Sequence, residues 1–396
     1  MSEESSERQD DEANGLRALS FSEQEYRTRL EKVQKAMAAR GLDALLAHSL
    51  GNICYLTGFE SIYPPKYYLA LIPAAGAPTL LVQDFEMHNA RITAWTRDNV
   101  AYEIHHDEVE AAARLLLDRG YGQARLGVEQ DAMGLTVAQY HRLTESLPKA
   151  AWMDPGGLVE RVRLIKSEAE IEYIRRASVI ASDAMRAGIE QAASGKTDNQ
   201  VAVAMYDKAI GGGSEYMCLD PIVTVGRRSG VPHTSHRRVK IKDGDAILME
   251  IGACVHRYTG VTMRSVVIAR EDDKIKRMAQ ACIRSVEALI ENIKPGVPAC
   301  KVAAEAKKAL GREGQEFLWH GYYGYSIGLG FQPDWNDCAW SIMEGNDQPL
   351  ETGMVLHCNT SLRDVGAAGV ACGETVAVTE KGCSVLTDVS RKLFVK

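Results

Sequence analysis

The chain has 396 residues, of which 45% are hydrophobic and 25% are charged, and its formal net charge is -7. This length predicts two domains of ordinary size with enough apolar residues for sizeable cores. An acidic balance without a Lys/Arg block argues against nucleic acid or a membrane surface as a partner. No apolar run approaches the ~20 residues that a membrane-spanning helix needs.

Residues 1–18 are rich in acidic and polar side chains and poor in apolar ones. They lack the basic start and apolar stretch of a signal peptide, so we expect a disordered acidic tail on a cytoplasmic protein. The cysteines are scattered and form no CxxC pair, which favours reduced, buried thiols over a zinc finger or a disulfide framework.

Strand and helix patterns alternate over residues 19–160. Apolar residues at helical spacing predict a helix over 21–40 that begins with a capping box at Ser22 and Glu25. Strands are expected in GLDALLAHS, on both sides of the turn in YYLALIPAAGAPTLLVQ, and in ARLGVEQ. Two further helices are predicted at 109–119 and 136–147. This alternation predicts an α/β layer architecture for the first domain.

Residues 161–396 form the predicted second domain. It opens on a strongly helical stretch over 167–186, with another capping box at Ser167 and Glu170. The predicted strands that follow are DAILMEIGA, TMRSVVIA, MVLHCNTSL and ETVAVTE. Helices and strands therefore mix along the second domain.

Five phrases in this order resemble the creatinase/aminopeptidase P superfamily. They are RLIKSEAEIEYIRRAS, VKIKDGDAILMEIG, GYSIG, LETGMVLHCNT and GETVAVTEKGCSVLT. Residues 21–58 also resemble the N-terminal domain of creatinase and prolidase-type members. The resemblance covers nearly the whole chain after the tail.

This resemblance implies the architecture called the pita-bread fold. An α+β catalytic domain is expected at 161–396, preceded by a smaller α/β creatinase-type domain at 19–160. A homodimer is also implied, in which an N-terminal loop of one subunit often closes the site of the other. Tyr63 lies where that loop is expected.

Metal-dependent members of this family bind two divalent ions through two Asp, one His and two Glu. The matching residues of this chain are Glu250, Val261, Tyr325, Asn359 and Gly373. One carboxylate, or two if the neighbouring Glu374 is the aligned residue, cannot balance four positive charges, so we expect no metal and no cofactor. The rival interpretation is a single ion held by His233, Glu250 and Glu374.

Two metal-free branches of the family come into question. Creatinase holds the guanidinium group of its substrate with further Glu residues, but the matching positions here are Met263 and Asn359. The ectoine hydrolase pattern has Glu on the first-ligand strand, Tyr in GYSIG, a following PDW, and His after the Met of a later strand. This chain shows the same order with Glu250, Tyr325, Pro333-Asp334-Trp335 and His357.

The resemblance therefore implies metal-independent hydrolysis of a C–N bond in a small cationic or zwitterionic compound. Ring opening of ectoine to N-acetyl-diaminobutyrate is the expected reaction. The alternatives are a creatinase-like amidinohydrolase, a metal-dependent Xaa-Pro aminopeptidase or dipeptidase, and a non-catalytic binding module.

Three candidate catalytic residues follow from this chemistry. Glu250 would pair with the substrate cation and either attack its electrophilic carbon or activate a water. His233, in SGVPHTSH, matches the position of the proton-transferring His of creatinase, and this resemblance implies that it would carry a proton to the departing nitrogen. Tyr325 would donate a hydrogen bond to the developing charge. The structural alternatives are a Glu250–Arg264 salt bridge and a purely packing role for Tyr325.

The candidate substrate-binding residues combine one cation with aromatic and polar side chains. They are Arg264, Trp335, Asp334, His357, Glu374 and Tyr63. Arg264, or alternatively Arg227 or Arg228, would hold the substrate carboxylate. Trp335 and Tyr63 would stack on the cation.

Overall fold

The computed structural model describes residues 16–63, 67–270, 272–332 and 335–396. They form two compact units that divide between Arg163 and Leu164, so the predicted boundary at 160 falls inside a helix that closes the first unit. Residues 1–15 of the predicted tail lie outside the described residues. Residues 16–18 at its end are described, and the Ala18 N–H donates to the Ile92 carbonyl at 3.1 Å.

The described part of the first unit contains a mixed sheet of six strands. The strands are β1 (Ala44–Ala47), β2 (Leu69–Pro73), β3 (Thr79–Gln83), β4 (Val100–Tyr102), β5 (Arg125–Val128) and β6 (Ala151–Met153). Their order is β4-β3-β2-β1-β5-β6. The helices are α1 (Glu23–Ala39), α2 (Leu50–Thr57), α3 (Met87–Thr93), α4 (Glu108–Asp118), α5 (Val137–Ser146) and α6 (Leu158–Arg163). The α/β layer architecture predicted for this region is confirmed.

Local sequence signals begin these helices. The Ser22 hydroxyl accepts from the Glu25 N–H at 3.2 Å and so caps α1. Thr136 caps α5 through a reciprocal capping box with Gln139. Alternate apolar residues of the central strands, such as Leu46 and Leu126, pack in one buried core with α4.

The described part of the second unit contains a sheet of nine strands. The strands are β7 (Met217–Val225), β8 (Ala246–Val255), β9 (Tyr258–Val267), β10 (Tyr322–Ser326), β11 (Ser341–Met343), β12 (Val355–Asp364), β13 (Ala368–Val378), β14 (Cys383–Val385) and β15 (Phe394–Val395). The main path is β11-β10-β12-β13-β9-β8-β7, with β14 on β13 and β15 on β9. The helices are α7 (Glu168–Gln191), α8 (Asp198–Gly211), α9 (Asp273–Asn292), α10 (Ala299–Leu310) and α11 (Glu313–Glu316).

One face of this sheet packs against helices. Ser167 and Glu170 form the predicted capping box at the start of α7, and Met185 of α7 shares a core with Met249 and Ile251 of β8. Because side chains alternate along a strand, Glu250 must point to the other face. The helix layer thus leaves the opposite face of the sheet for the site.

Two further sequence expectations concern membranes and thiols. Within the described ranges, no helix combines the length and the apolar character that crossing a bilayer requires. All the cysteines are free; Cys54, Cys300 and Cys383 are half-buried and the others are buried. The thiols therefore contribute mainly as packing residues.

Candidate active site

Four neighbouring strands bring the central residues of the site to one face of the large sheet. Glu250 on β8 lies directly opposite Met263 on β9, and Met263 lies opposite Gly373 on β13. Gly373 in turn lies opposite Asn359 on β12. Directly opposite residues of antiparallel strands share a face, so Glu250, Gly373 and Asn359 line the same surface.

The next strand adds an aromatic ring and an imidazole. Tyr325 on β10 lies opposite His357 on β12, and His357 shares a face with Asn359 because the two are separated by one residue. The rings of Tyr325 and His357 meet edge to face with centroids 5.4 Å apart. His357 Nε2 lies 3.8 Å from Glu250 Oε1. The carboxylate, the imidazole and the phenol therefore form one cluster.

A β-bulge in β10 adds Tyr322 to this cluster. The register of β10 shifts between Tyr322 and Gly324, whereas residues three apart on a regular strand would point to opposite faces. The ring of Tyr322 meets that of Tyr325 edge on, at 6.1 Å. Tyr323, between them, packs into the core on the helix side.

Burial controls the charge of Glu250. Its side chain is 12% exposed. Burial raises its pKa to about 7, against a smaller opposing effect from the Arg363 guanidinium. A cation bound beside the carboxylate would favour its ionised form. Glu250 is thus poised to ionise when a positively charged ligand enters.

The two imidazoles of the cluster, the buried His357 and the more exposed His320, are neutral at neutral pH. Burial lowers the pKa of His357 to about 3 and that of His320 to about 4. The 3.8 Å contact between His357 and Glu250 is therefore not an ion pair. His320 Nε2 lies 3.0 Å from Asn359 Oδ1, so this amide oxygen already has a hydrogen-bond partner.

Tyr325 is arranged as a hydrogen-bond donor. Its Oη accepts from Trp335 Nε1 at 2.9 Å, which leaves its own O–H to donate elsewhere. Burial and the nearby Glu250 charge raise the pKa of Tyr325 well above its ordinary value. The phenol therefore stays protonated through the physiological pH range.

Sequence comparison places this arrangement in a family. The pattern of metallopeptidase family M24 matches residues 172–380, and the creatinase/prolidase N-terminal domain matches residues 29–165. The chain belongs to metallopeptidase family M24. The resemblance proposed from the sequence and the predicted fold class are both confirmed.

Known relatives of this M24 protein include both non-peptide and peptide hydrolases. It is 28% identical to ectoine hydrolase of Halomonas elongata, over 96% of this chain and 99% of that one. It is 25% identical to an Xaa-Pro dipeptidase of Lactobacillus delbrueckii, over 92% of this chain and 98% of that one. The prolidase structure from Thermococcus sibiricus superimposes with a TM-score of 0.84 at 21% identity, covering 94% of this chain and 99% of that one.

The residues of this M24 protein do not fit the two-ion centre that the family implies. Val261 and Gly373 carry no donor atom, and Asn359 Oδ1 is bonded to His320. A Cβ at position 373 would lie 2.8 Å from His357 Cε1 and 3.0 Å from His357 Nε2. The imidazole thus fills the space that a ligand side chain at 373 would need.

Arg264 and Glu374 do not belong to this face, which corrects two of the predicted substrate-binding residues. Arg264 lies opposite Met249 rather than Glu250. Its Nη2 lies 2.6 Å from Glu374 Oε1, and both side chains are 1% exposed. The expected alternative, a Glu250–Arg264 salt bridge, is therefore wrong.

The same geometry excludes the one-ion site proposed from His233, Glu250 and Glu374. Glu374 Oε2 accepts from the Thr387 hydroxyl, so both carboxylate oxygens are held within the helix-side core. Elsewhere among the described residues, three side chains with ligand atoms close enough for one metal ion occur on the surface of the first unit. They are Glu103, His105 and His106.

The remaining predicted site residues occupy different surroundings. Trp335 contacts Tyr325 as described, whereas Asp334 lies outside the described residues. Tyr63 belongs to the first unit, where its side chain is 53% exposed. His233 is exposed and has a positive φ of 53°, and it lies close enough to His320 for an electrostatic interaction. The roles of His233 and Tyr63 stay predictions.

Sequence reasoning missed three residues of the cluster: His320, Tyr322 and Arg363. His320 and Tyr322 precede GYSIG directly in the phrase WHGYYGYSIG, so an unusual density of polar aromatic residues was the available signal. Arg363 lies four residues after Asn359 on β12. Because an even number of positions separates it from Asn359 on the same strand, its side chain was predictable on the same face as the site.

Proposed function

We propose that this M24 protein is a metal-independent hydrolase that opens a C–N bond of a small cyclic amidinium carrying a carboxylate. Ectoine is the substrate we expect, and an N-acetylated diaminobutyrate is the product. The observation that carries this proposal is the buried Glu250 carboxylate near aromatic rings. The other acidic ligand positions of the family hold residues that are not acidic in this chain. The similarity to ectoine hydrolase supports it.

The site offers a good environment for a planar organic cation. Glu250 supplies a counter-charge, the phenols of Tyr322 and Tyr325 lie near it, and Trp335 bonds Tyr325. Aromatic faces attract such cations, and more strongly when water is excluded. An amidinium is also already electrophilic at carbon, so it needs less polarisation by a metal ion than a peptide carbonyl does.

The reaction can be written with the residues in place. Glu250 attacks the amidinium carbon, or activates a water that does, and one ring C–N bond breaks. When a glutamyl intermediate forms, water releases it and restores the carboxylate. In the net reaction one water is consumed, its oxygen becomes the acetyl oxygen, and both of its protons end on the departing nitrogen.

Two residues would manage charge during these steps. Tyr325 donates its free O–H to the polar atom that gains electron density at the reacting carbon. His233, on the loop near His320, would carry a proton to the departing nitrogen. The neutral His357 beside Glu250 would orient the carboxylate without competing with the substrate as a counter-ion.

A substrate panel with and without chelator tests this function. We expect turnover of ectoine that changes by less than about twofold after EDTA treatment, since the residues present do not fit a metal pair. Creatine and Xaa-Pro dipeptides should be poor substrates. Loss of ectoine turnover with chelator and its return with Mn²⁺ or Zn²⁺ would refute metal independence. Chelator-sensitive cleavage of an Xaa-Pro dipeptide instead would assign the protein to the dipeptidases.

The pH dependence of kcat/KM should report the ionisation of Glu250. The free enzyme must lose the Glu250 proton to pair with a cationic substrate, so kcat/KM should rise with pH and level off above about 7. His320 and His357 are neutral over this range, so they do not produce the rise. The residual activity of His233→Asn should show the same rise of kcat/KM with pH. If the rise is absent in this variant, it reports the ionisation of His233 instead of Glu250.

The quaternary structure and location complete the proposal. We propose a homodimer, as the family resemblance implies, with the Tyr63 loop available to the site of the other subunit. We also propose a cytoplasmic location. Light scattering coupled to gel filtration tests the dimer, and a monomer with full activity would contradict a contribution of the loop across subunits.

A further inference from the structure

We propose that Arg363 binds the carboxylate of the substrate and that the site therefore selects zwitterions over simple cations. This inference rests on the proposed function and deepens it. It also replaces Arg264, whose guanidinium is enclosed in the helix-side core.

Arg363 lies on the same face of the sheet as the site. It is on β12, four residues after Asn359 and opposite Gly369, and even spacing along a strand keeps side chains on one face. Its side chain is half-buried. The guanidinium is fixed at one end, because Nη1 donates to the Ser229 carbonyl at 2.7 Å and to the Val231 carbonyl at 3.3 Å.

The other edge of the Arg363 guanidinium is available to a ligand. Nε and Nη2 form no hydrogen bond with any described residue and are not enclosed. Across the described ranges, no carboxylate lies within 4.0 Å of this side chain. Nε–H and Nη2–H point to the same side, which is the fork that accepts a carboxylate through two parallel bonds. A partly desolvated cation with such a free fork is suited to an anionic group.

Arg363 and Glu250 lie on the same face of the sheet, near enough for their charges to interact, but they form no ion pair. Burial is the larger effect on both groups, raising the pKa of Glu250 and lowering that of Arg363. Against it, each charge favours the ionised form of the other group. Their separation nevertheless exceeds the 4.0 Å of a salt bridge. A compact molecule with a cation at one end and a carboxylate at the other would neutralise both the Glu250 carboxylate and the Arg363 guanidinium.

A positioning role is the rival explanation. By holding Ser229 and Val231, Arg363 also supports the segment that leads to His233. Loss of that support would lower the hydrolysis of every substrate by the same factor. Loss of a carboxylate partner would impair only substrates that carry the carboxylate, so the two roles differ in what they do to selectivity.

The experiment compares ectoine with the same cyclic amidine lacking the carboxylate, 2-methyl-1,4,5,6-tetrahydropyrimidine. In Arg363→Gln we expect KM for ectoine to rise about 10–100-fold, the range of a lost charge-assisted hydrogen-bond pair. Hydrolysis of the amidine should change by less than about threefold, so that the preference of the wild type for the zwitterion disappears. Equal losses on both compounds, or no loss on either, would overturn the proposal.

Arg284→Gln is the matched control. Arg284 is an exposed arginine on α9 that also bonds a main-chain carbonyl, that of Ala309, at 3.3 Å. Its replacement removes a surface charge away from the site face, and KM for both compounds should stay within about twofold. A similar KM rise in this variant would attribute the effect at 363 to net charge.

A binding measurement separates this inference from the proposed function. If the wild type hydrolyses neither compound, the proposed function fails, and titration calorimetry with the same two compounds still tests Arg363. Tighter binding of ectoine than of the amidine by the wild type, lost in Arg363→Gln, would support the carboxylate anchor. Equal affinity for the two compounds, or no binding of either, would count against it.

Discussion

Replacing Glu250 by Gln is expected to abolish most ectoine hydrolysis while leaving the protein folded. The amide keeps the size of the side chain but can neither attack the amidinium carbon nor accept a proton from water. Removing a group in either role lowers kcat by about 10²–10⁴-fold or more. Steady-state kinetics with ectoine measures this loss, and Glu305→Gln, an exposed change on α10, serves as the control.

The same substitution should stabilise the protein above neutral pH. Burial raises the pKa of Glu250 from 4.5 to about 7, so the folded protein holds this proton more tightly than the unfolded chain does. The contribution of Glu250 to the free energy of unfolding is therefore largest below pH 4.5 and falls as pH rises through 7. Gln carries no such charge. The free energy of unfolding of the variant should therefore exceed that of the wild type by up to about 3 kcal/mol at pH 8 and should equal it at pH 4.

Denaturant unfolding at the two pH values distinguishes a functional from a structural carboxylate. Lost turnover together with raised stability at pH 8 is what an active-site group held against its preferred charge state should give. Retained turnover would remove Glu250 from the chemistry. Lost turnover with lowered stability at pH 8 would instead make it a structural residue.

The sequence predicted the strands that carry the site better than it predicted the faces of those strands. Phrases such as DAILMEIG and GYSIG placed Glu250 and Tyr325 on their strands, and the cap at Ser167 was confirmed because a capping box depends on near neighbours alone. The prediction that Arg264 lies in the site was wrong, because a shift of one residue in the register of the β8–β9 hairpin moves a side chain to the other face. Here Met263, not Arg264, lies opposite Glu250.

Residues that meet through long-range geometry could not be predicted. The bulge that turns Tyr322 toward Tyr325 depends on how β10 pairs with β11, and nothing in the local sequence specifies that register shift. The approach of His357 to Glu250 requires strands far apart in the chain to assemble in one sheet. Likewise, the main-chain contacts of Arg363 lie on the segment before His233.

Glu374→Ala should lower the free energy of unfolding by about 3–5 kcal/mol, the usual effect of breaking a buried ion pair by removing one partner. Arg264 Nη2 lies 2.6 Å from Glu374 Oε1, and each side chain is 1% exposed. Without the carboxylate, a buried guanidinium would lose its counter-charge. Main-chain carbonyls, including that of Gly373 at 2.8 Å from Nη1, would compensate only part of that loss.

Equilibrium unfolding in urea measures this effect, and Glu380→Ala, an exposed change just beyond β13, is the matched control. The folded fraction of Glu374→Ala should bind ectoine with an unchanged KM at low temperature, because neither member of the pair reaches the site face. A raised KM with an unchanged free energy of unfolding would instead support the original prediction that Glu374 binds the substrate. Since the Gly373 carbonyl accepts from Arg264 while its missing side chain makes room for His357, this ion pair is the structural support beneath the reactive cluster rather than a part of it.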